Sequence, residues 1–225
     1  MVQKESCRTR GRPRQYDPEV ALGRALELFW DRGFAATSLD DLSEAMGMNR
    51  PSVYAAFGDK HDLFVKALRV YQEAGQEALL RALDPERPLR ESLHDCFSAI
   101  LAQYLSGEGA TRGCFMFAVA TTEAVADPAI RAMVADGTRG FDTAFEARLE
   151  LARSRREIAS TADPATLARL ATGLVHTLSV RARAGEKRAA LQKIIDDFLL
   201  VICGPPIEGR VGKRATARSR KTPHG

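Results

Sequence analysis

Long apolar runs, paired cysteines and the alternating pattern of β-strands are all missing from this sequence of 225 residues. Apolar runs are short, as at Phe198–Cys203, so no segment is expected to span a bilayer. The basic N-terminus has no apolar stretch behind it, and no signal peptide is expected. The four cysteines are Cys7, Cys96, Cys114 and Cys203. Their spacing contains no C-x-x-C pair, which argues against a disulfide framework or a zinc site and favours a reducing cytoplasm.

Charge is concentrated at the two ends of the chain. Residues 1–16 carry five basic side chains and one acidic side chain, and residues 209–225 carry six basic side chains and no acidic one. Because the net charge of the whole chain is +4, residues 17–208 carry −6. We interpret residues 1–16 as a disordered basic arm and residues 208–225 as a disordered basic tail. Basic arms on an acidic body favour a polyanionic partner, most often nucleic acid, although solubilising disorder explains the C-terminal tail equally well.

The rest of the sequence has the periodicity of α-helices. Asp17, Pro18 and Glu19 have the N-cap, first-turn proline and first-turn acid of a helix start. Three short helices that each end at a glycine are followed by a longer helix from Lys60. Long amphipathic segments then occupy residues 88–106, 113–124, 127–153, 163–184 and 186–203. We therefore predict an all-α fold of about nine helices, with an N-terminal three-helix unit and a C-terminal helical bundle.

Residues 38–57 have the composition of a helix-turn-helix. Ala45 is small at the point where the two helices must cross closely, and Gly47 supplies the left-handed residue that turns the chain. The second helix begins at Asn49 or Arg50. In a helix-turn-helix the N-terminus of this second helix enters the major groove of DNA.

Eight residues with fixed spacing carry a family pattern: Thr37, Leu42, Ala45, Gly47, Tyr54, Phe57, Lys60 and Leu63. The pattern resembles the signature of TetR/AcrR-type transcriptional regulators. The resemblance is close over residues 17–66, whereas the later helices resemble the family only in number, length and order. It implies a homodimer with a DNA-binding domain at residues 17–66 and a ligand-binding and dimerisation domain at residues 67–207. It also implies a repressor that a small-molecule inducer releases from a palindromic operator, with no catalytic residue, cofactor or metal.

The resemblance also assigns roles within the helix-turn-helix. It places contacts with phosphate, or a cap close to phosphate, at Thr37, Tyr54 and Lys60, and contacts with base edges at Arg50, Ser52 and Ala55. An arginine at such a position suits the O6 and N7 atoms of guanine. The competing interpretation is structural, with a core aromatic at Tyr54 and solvated surface charges at Arg50 and Lys60. Either Thr37 or Ser38 is expected to cap the first helix of the motif.

The helix-turn-helix domain has little positive charge of its own. Residues 17–66 contain five basic and nine acidic side chains, a net charge of −4. The preceding segment is Arg10-Gly11-Arg12-Pro13-Arg14, which resembles the core of an AT-hook. Its glycine would let the backbone approach the floor of the minor groove, where the potential of A·T-rich DNA attracts arginine. We therefore predict that Arg10, Arg12 and Arg14 contact DNA.

Aromatic side chains are frequent in the C-terminal helices. The six that we expect to converge are Phe97, Tyr104, Phe115, Phe117, Phe141 and Phe145. By the resemblance they would surround an inducer pocket, with His176 and Thr121–Glu123 as its polar groups. The alternative is that these aromatics only fill the core. Cys96 and Cys114 are expected as buried small hydrophobes, with a redox-sensing pair as the alternative.

The last two long helices are the predicted dimer interface, again by the resemblance. The residues assigned to this interface are Leu170, Leu174, Leu178, Leu191, Ile195 and Phe198. The alternative is that they close the core of their own protomer. Two DNA-binding domains that contact half-sites one turn of DNA apart, about 34–36 Å, would require the dimer.

Two other functions fit parts of the sequence. The histidines that an all-α metalloenzyme could use are His61, His94, His176 and His224. They have no metal-binding spacing, and no nucleophile-elbow, phosphate-loop or zinc-protease motif occurs. An architectural DNA-binding protein would use the basic tails without responding to a ligand. Binding to one palindromic site that a small molecule reverses would distinguish a repressor from this third class.

Overall fold

The computed structural model describes residues 17–107 and 111–205, and all regular structure in these ranges is helical. The predicted arm at residues 1–16 and tail at residues 208–225 lie outside the described residues. The helices are α1 (Pro18–Arg32), α2 (Leu39–Met46), α3 (Arg50–Phe57), α4 (Lys60–Ala82), α5 (Leu89–Tyr104), α6 (Thr121–Glu123), α7 (Pro128–Ser154), α8 (Pro164–Arg183) and α9 (Arg188–Cys203). The prediction of an all-α fold with about nine helices is confirmed for this part of the chain.

Capping side chains set the starts of the three N-terminal helices. Asp17 caps α1 by accepting two backbone N–H groups from the first turn. Ser38 and Asp41 cap α2 reciprocally, so the capping residue is Ser38 and not Thr37. Asn49 caps α3. Each cap satisfies backbone donors that have no partner within the helix, which is why helix starts could be located from the sequence.

The turn between α2 and α3 depends on Gly47. Its φ of 66° lies in the left-handed region, where an L side chain would cost about 1–2 kcal/mol. The turn brings Val53 and Phe57 of α3 into the same core as Phe29 of α1 and Leu63 of α4. Helices α1–α3 and the first turns of α4 therefore form one compact unit, as the helix-turn-helix pattern predicted.

Helix α4 leaves this unit and joins the C-terminal helices, where α7 packs along α8 and α5 packs along α9. The predicted helix at residues 113–124 is instead a π-helical turn, Met116–Ala120, that continues into the three-residue α6. Such π-helical turns occur frequently at functional sites. In the described ranges the helices lack any stretch with the length and hydropathy of a membrane span.

Candidate nucleic-acid interface and effector cavity

Helix α3 presents one exposed face made of residues that the sequence analysis assigned to DNA. Val53 and Phe57 are buried, so the opposite side of the helix faces solvent. That side carries Ala55 and Tyr54, which are both exposed, and the exposed fraction of Tyr54 is 49%. Ser52 is half-buried in the first turn. A short helix with one exposed face of this kind has the shape that enters the major groove.

Arg50 begins α3 and is held by a carboxylate on the neighbouring helix. Its Nε and Nη2 atoms donate to the two carboxylate oxygens of Asp40 in α2, so the ion pair is bidentate. The hydrogen bonds that it donates to Asp40 raise the pKa of the Arg50 guanidinium. Both side chains are more than half exposed, and solvent-screened pairs contribute little net stability. The Arg50 guanidinium can therefore leave Asp40 and bind a base edge or a phosphate of DNA instead.

Lys60 opens α4 beside this face. Its Nζ atom lies 4.2 Å from the centroid of the Phe34 ring, which is a cation–π contact. The contact holds the ammonium group over Phe34 without neutralising its charge. Lys60 thus remains a cation, and exposed Tyr54 offers a hydroxyl, each of which can contact a phosphate.

Thr37 has a structural role instead of the expected DNA contact. Only 1% of the residue is exposed, and its hydroxyl donates to the backbone carbonyl of Gly33 at 2.7 Å. This bond closes the turn between α1 and α2 and keeps the hydroxyl away from the surface. The prediction of a Thr37–phosphate contact is therefore wrong for this structure, because the side chain is buried.

The other cations of the DNA-binding domain differ in their availability. Arg32 pairs with Asp41 at 3.1 Å, and Lys66 donates to a backbone carbonyl at the end of α3 at 2.5 Å. Arg24 is exposed on α1 beside the α2–α3 turn, and its Nη1 atom would lie 3.5 Å from a Cβ atom added to Gly47. Sequence reasoning missed Arg24 as a candidate phosphate contact. The only feature of the sequence that could have indicated this role is that Arg24 is a basic residue on the polar side of α1.

One cluster of metal-ligating groups occurs where α4 begins. The donor atoms of Asp59, His61 and Asp62 lie within 4.8 Å of one another. Asp59 and Asp62 cap α4 reciprocally, and the Nε2 atom of His61 pairs with Asp127, the N-cap of α7. The hydrogen bond from His61 lowers the pKa of the Asp127 carboxyl. Helix capping and a contact between the two domains therefore explain this cluster without a metal.

The C-terminal domain forms a cavity of about 370 Å³ between α4, α5 and α7 that is open to solvent where Val70, Ala74 and Ala78 are exposed. One wall consists of small and apolar side chains of α4, namely Val70, Ala74, Gly75, Ala78, Leu79 and Ala82. Cys96 and Ile100 of α5 also line it, as does Trp30 of α1. The volume and the apolar lining are those of a small-molecule site.

The predicted pocket residues divide between this cavity and the core. Tyr104 and Phe141 line the cavity. Phe97 and Phe145 do not, because their rings stack on each other at a centroid distance of 5.6 Å. Phe115 is also a core residue and packs edge-on against its neighbours in the contact between the domains. The assignment of Phe97, Phe115 and Phe145 to a pocket is therefore wrong for this cavity.

Phe117 and His176 form a second contact outside the cavity lining. Their ring centroids are 3.9 Å apart in an edge-on arrangement. Burial lowers the pKa of the His176 imidazole, although the charge of Asp142 acts in the opposite direction. Among the described residues the Nε2 atom of His176 has no hydrogen-bond partner. Neither residue lines the cavity, which corrects their assignment to its polar and aromatic groups.

The two cysteines of the cavity are Cys96 and Cys114. Burial raises the pKa of the Cys96 thiol to about 12 and also raises that of Cys114. The hydroxyl of Tyr71 donates to the Sγ atom of Cys114 at 3.3 Å. Buried, protonated thiols pack as small apolar side chains and are weak nucleophiles, in accord with the first of the two interpretations drawn from the sequence.

A segment that we call the strap, residues 111–115, connects the cavity with the DNA-binding domain. The side chain of Arg112 in the strap is only 8% exposed and lies over the Trp30 ring of α1, with Cζ 4.3 Å from the ring centroid. Its Nη2 atom is 2.6 Å from a carboxylate oxygen of Glu27, and its Nε atom is 2.8 Å from one of Asp31. A single side chain of the strap thus binds three residues of α1.

The backbone of the strap is held by both α1 and α8. The indole N–H of Trp30 donates to the carbonyl of Gly113 at 3.1 Å. Gly113 has a φ of 65°, and a Cβ atom there would lie 2.8 Å from the backbone carbonyl of Ser179 in α8. The Ser179 hydroxyl accepts the N–H of Cys114 at 2.8 Å. Because Cys114 lines the cavity, the strap is in contact with the cavity, α8 and α1 at once.

The predicted dimer residues lie mostly inside the protomer. Leu174, Leu178, Leu191 and Ile195 are buried. Phe198 is half-buried and packs edge-on against a core phenylalanine at 5.4 Å. The burial of Leu174, Leu178, Leu191 and Ile195 contradicts a direct dimer contact through them, since helical periodicity marks apolar positions without separating the core from a partner surface. The assignment of half-buried Phe198 to the interface stays a prediction.

A different apolar surface remains exposed on the last two helices. Leu170 and Val180 of α8 are 54% and 63% exposed, and Val201 of α9 is 80% exposed. Leu170 and Val180 lie about 80° apart around α8, since ten residues fall short of three helical turns, so they occupy adjoining parts of its surface. Of the predicted interface residues, Leu170 alone belongs to this surface.

Comparison with known proteins agrees with the two-domain architecture. The family model for tetR-family bacterial regulatory proteins matches residues 21–67, and the model for a tetracyclin repressor-like C-terminal domain matches residues 91–198. The transcriptional repressor ComR of Escherichia coli is 32% identical over 191 residues, which cover 84% of this chain and 88% of ComR. The repressor BdcR of the same species is 39% identical over 118 residues, 52% of this chain and 58% of BdcR.

A solved structure extends the likeness to three dimensions. A cysteine-substituted form of the TetR family transcriptional regulator CifR, complexed with 26-base-pair operator DNA, has a TM-score of 0.74 and 29% identity. The match covers 85% of this chain and all of the CifR chain. Both domains, their order and their fold are thus those of known regulators, and the chain belongs to the TetR family of bacterial transcriptional regulators.

Proposed function

We propose that this chain is a transcriptional repressor that binds a palindromic operator as a homodimer and is released by a small molecule. The observation that carries the ligand response is the strap, which lines the cavity through Cys114 and binds α1 through Arg112. A molecule in the cavity would contact both the strap and Trp30. It would thereby favour a different position of α1, and with it a different separation of the two α3 helices in the dimer.

In this proposal α3 enters the major groove. Arg50, Ser52 and Ala55 contact base edges, while Tyr54 and Lys60 contact phosphates. The exposed face of α3 and the position of Lys60 beside it support these roles. The operator DNA in the CifR complex supports double-stranded DNA as the partner.

The basic arm completes the proposed interface. Arg10, Arg12 and Arg14 lie outside the described residues. We assign them to the minor groove next to each half-site, since the domain at residues 17–66 has a net charge of −4 and binding to DNA releases counterions through basic side chains.

The proposed dimer forms through the exposed apolar surface of α8 and α9. Leu170, Val180 and Val201 would pack against the same residues of a second copy around a two-fold axis. A contact of this kind covers the large apolar side chains that a lone protomer leaves in water. A DNA-binding role also places the protein in the cytoplasm and requires no catalytic chemistry.

The test is a selection of randomised duplexes by the full-length protein, followed by footprinting of the enriched sequence. We expect one palindromic site with two protected half-sites and two protomers bound. Light scattering of the complex gives the stoichiometry. Retention of DNA without enrichment of any sequence would instead identify an architectural DNA-binding protein, and absence of binding would refute both functions.

A further inference from the structure

The cavity between α4, α5 and α7 is almost free of charge. Among the described residues that line it, only Glu27 has a charged side chain. The Glu27 carboxylate pairs with Arg112 at 2.6 Å, and more than half of the side chain is exposed. Glu27 therefore lies at the rim of the cavity, and its charge is already compensated by a neighbouring cation.

Among the residues that the structure describes, no cation is placed to receive an anion inside this cavity. Arg112, the nearest candidate, is stacked on the Trp30 ring and does not belong to the lining. Its hydrogen bonds go to the Glu27 backbone carbonyl and the Asp31 carboxylate of α1, and it also pairs with the Glu27 carboxylate. A carboxylate or phosphate that entered the cavity would lose its hydration without gaining a counter-charge, which is strongly unfavourable.

A cationic molecule meets a related obstacle. Glu27, the one carboxylate at the rim, already pairs with Arg112, so a cation would have to compete with Arg112 for its charge. Arg112 would then remain largely buried with fewer acceptors, and breaking such a pair is unfavourable. Aromatic rings in the lining offer weaker compensation than a carboxylate.

The cavity does contain neutral polar groups. Gln72, Gln76, Gln103 and Tyr104 line it and offer amide and hydroxyl groups. The Gln72 amide nitrogen is fixed by a 2.8 Å hydrogen bond to the Met133 carbonyl. Amide and hydroxyl groups can both donate and accept, so they suit a carbonyl, amide or hydroxyl of a ligand.

We infer that this cavity takes an uncharged, largely apolar molecule that bears one carbonyl, amide or hydroxyl group. The inference rests on the proposed function only where it makes this molecule the inducer, because the charge preference is a property of the cavity itself. A molecule of this class reaches the cytoplasm by crossing the bilayer, since it carries no ion into the hydrocarbon.

The experiment compares three probes of nearly equal shape by calorimetric titration at pH 7: 4-ethylbenzamide, 4-ethylbenzoate and 4-ethylbenzylammonium. We expect saturable binding of the amide at least about tenfold tighter than that of either ion, a difference of about 1.4 kcal/mol. The titrations use the full chain without DNA, so a failure of the operator selection would leave them valid.

Two glycine variants localise the binding. Gly75 lines the cavity, and a Cβ atom there meets nothing within 4 Å, so Gly75→Leu places a side chain in the cavity without a clash at the helix. Gly23 of α1 has the same open surroundings but lies outside the lining, and Gly23→Leu is the matched control. We expect Gly75→Leu to lose amide binding and Gly23→Leu to keep it, with circular dichroism showing that both are folded.

Three results would overturn the inference. The first is binding of the benzoate or the ammonium as tight as that of the amide. The second is amide binding that persists in a folded Gly75→Leu protein at wild-type affinity. The third is the absence of saturable binding of the amide to the wild-type protein.

Discussion

Replacing Arg112 by methionine removes the charge that joins the strap to α1 and keeps an apolar side chain over Trp30. The guanidinium makes charge-assisted hydrogen bonds to the Asp31 carboxylate at 2.8 Å and to the Glu27 backbone carbonyl at 3.2 Å, and it pairs with the Glu27 carboxylate at 2.6 Å. Hydrogen bonds to charged groups contribute about 1.5–3 kcal/mol each. Both carboxylates are about half exposed and screened by water, so we use the lower limit. The free energy of unfolding should therefore fall by about 3 kcal/mol.

The assay is a double-mutant cycle followed by urea unfolding and circular dichroism. Arg112→Met, Asp31→Asn and the double variant are compared with the wild-type protein. We expect a coupling energy of about 1–1.5 kcal/mol for the pair, because the two side chains are in direct contact. The matched control is Arg181→Met, which removes an exposed pair with Glu186 at 2.9 Å and should change stability by less than about 0.5 kcal/mol.

Additive effects would refute this reasoning. If the double variant loses the sum of the two single losses within about 0.3 kcal/mol, the ion pair does not hold the strap to α1. The route proposed for the ligand response would then have to pass through the remaining contacts of the strap with α1, which are those of Arg112 with Glu27 and Trp30 and that of Gly113 with Trp30.

The remaining predictions concern DNA and the dimer. Asp40→Asn frees Arg50 and removes a negative charge, and should strengthen binding to operator and scrambled duplexes in mobility-shift titrations. Tyr54→Phe should weaken binding to both duplexes alike by about 1 kcal/mol, measured by fluorescence anisotropy. Removal of residues 1–15 should flatten the slope of log K against log salt by about 2–4 units per dimer, in salt titrations. Val180→Glu should yield a folded monomer in light-scattering measurements, since it places a charge in the proposed interface.

Each of these predictions has a result that contradicts it. Weaker binding of Asp40→Asn would mean that the ion pair positions Arg50 for DNA. An unchanged affinity of Tyr54→Phe would leave its hydroxyl without a role, and equal salt slopes would make the arm a solubilising segment. Leu80→Glu alters a residue of α4 that is 56% exposed and serves as the control for Val180→Glu. A dimer that survives Val180→Glu would move the interface elsewhere.

The starts and ends of the helices could be predicted because their signals are local. Asp17, Ser38 and Asn49 each accept backbone N–H groups within three residues along the chain. Gly47 sets the turn of the motif through its own backbone conformation. Such features need no knowledge of tertiary packing, and the position of α3 in the motif followed from them.

The cavity could not be located in this way, because its space is produced by small residues. The sequence analysis assigned the pocket to aromatic side chains, yet Phe97 and Phe115 fill the core. The cavity instead lies where the small residues Gly75 and Ala78 leave room along α4. The bond between Arg50 and Asp40 spans ten residues and depends on the crossing of α2 and α3. Neither feature has a signature within a single helix.

Trp30 is placed so that its fluorescence can report on both the cavity and the strap. It is the only tryptophan of the chain, and its ring lines the cavity, lies beneath the Arg112 guanidinium and contacts Tyr71 at a centroid distance of 4.9 Å. Indole emission changes in wavelength and intensity with the polarity and the charges around the ring. Occupation of the cavity and displacement of the strap would each alter this emission, so both events can be timed in unlabelled protein by stopped-flow fluorescence.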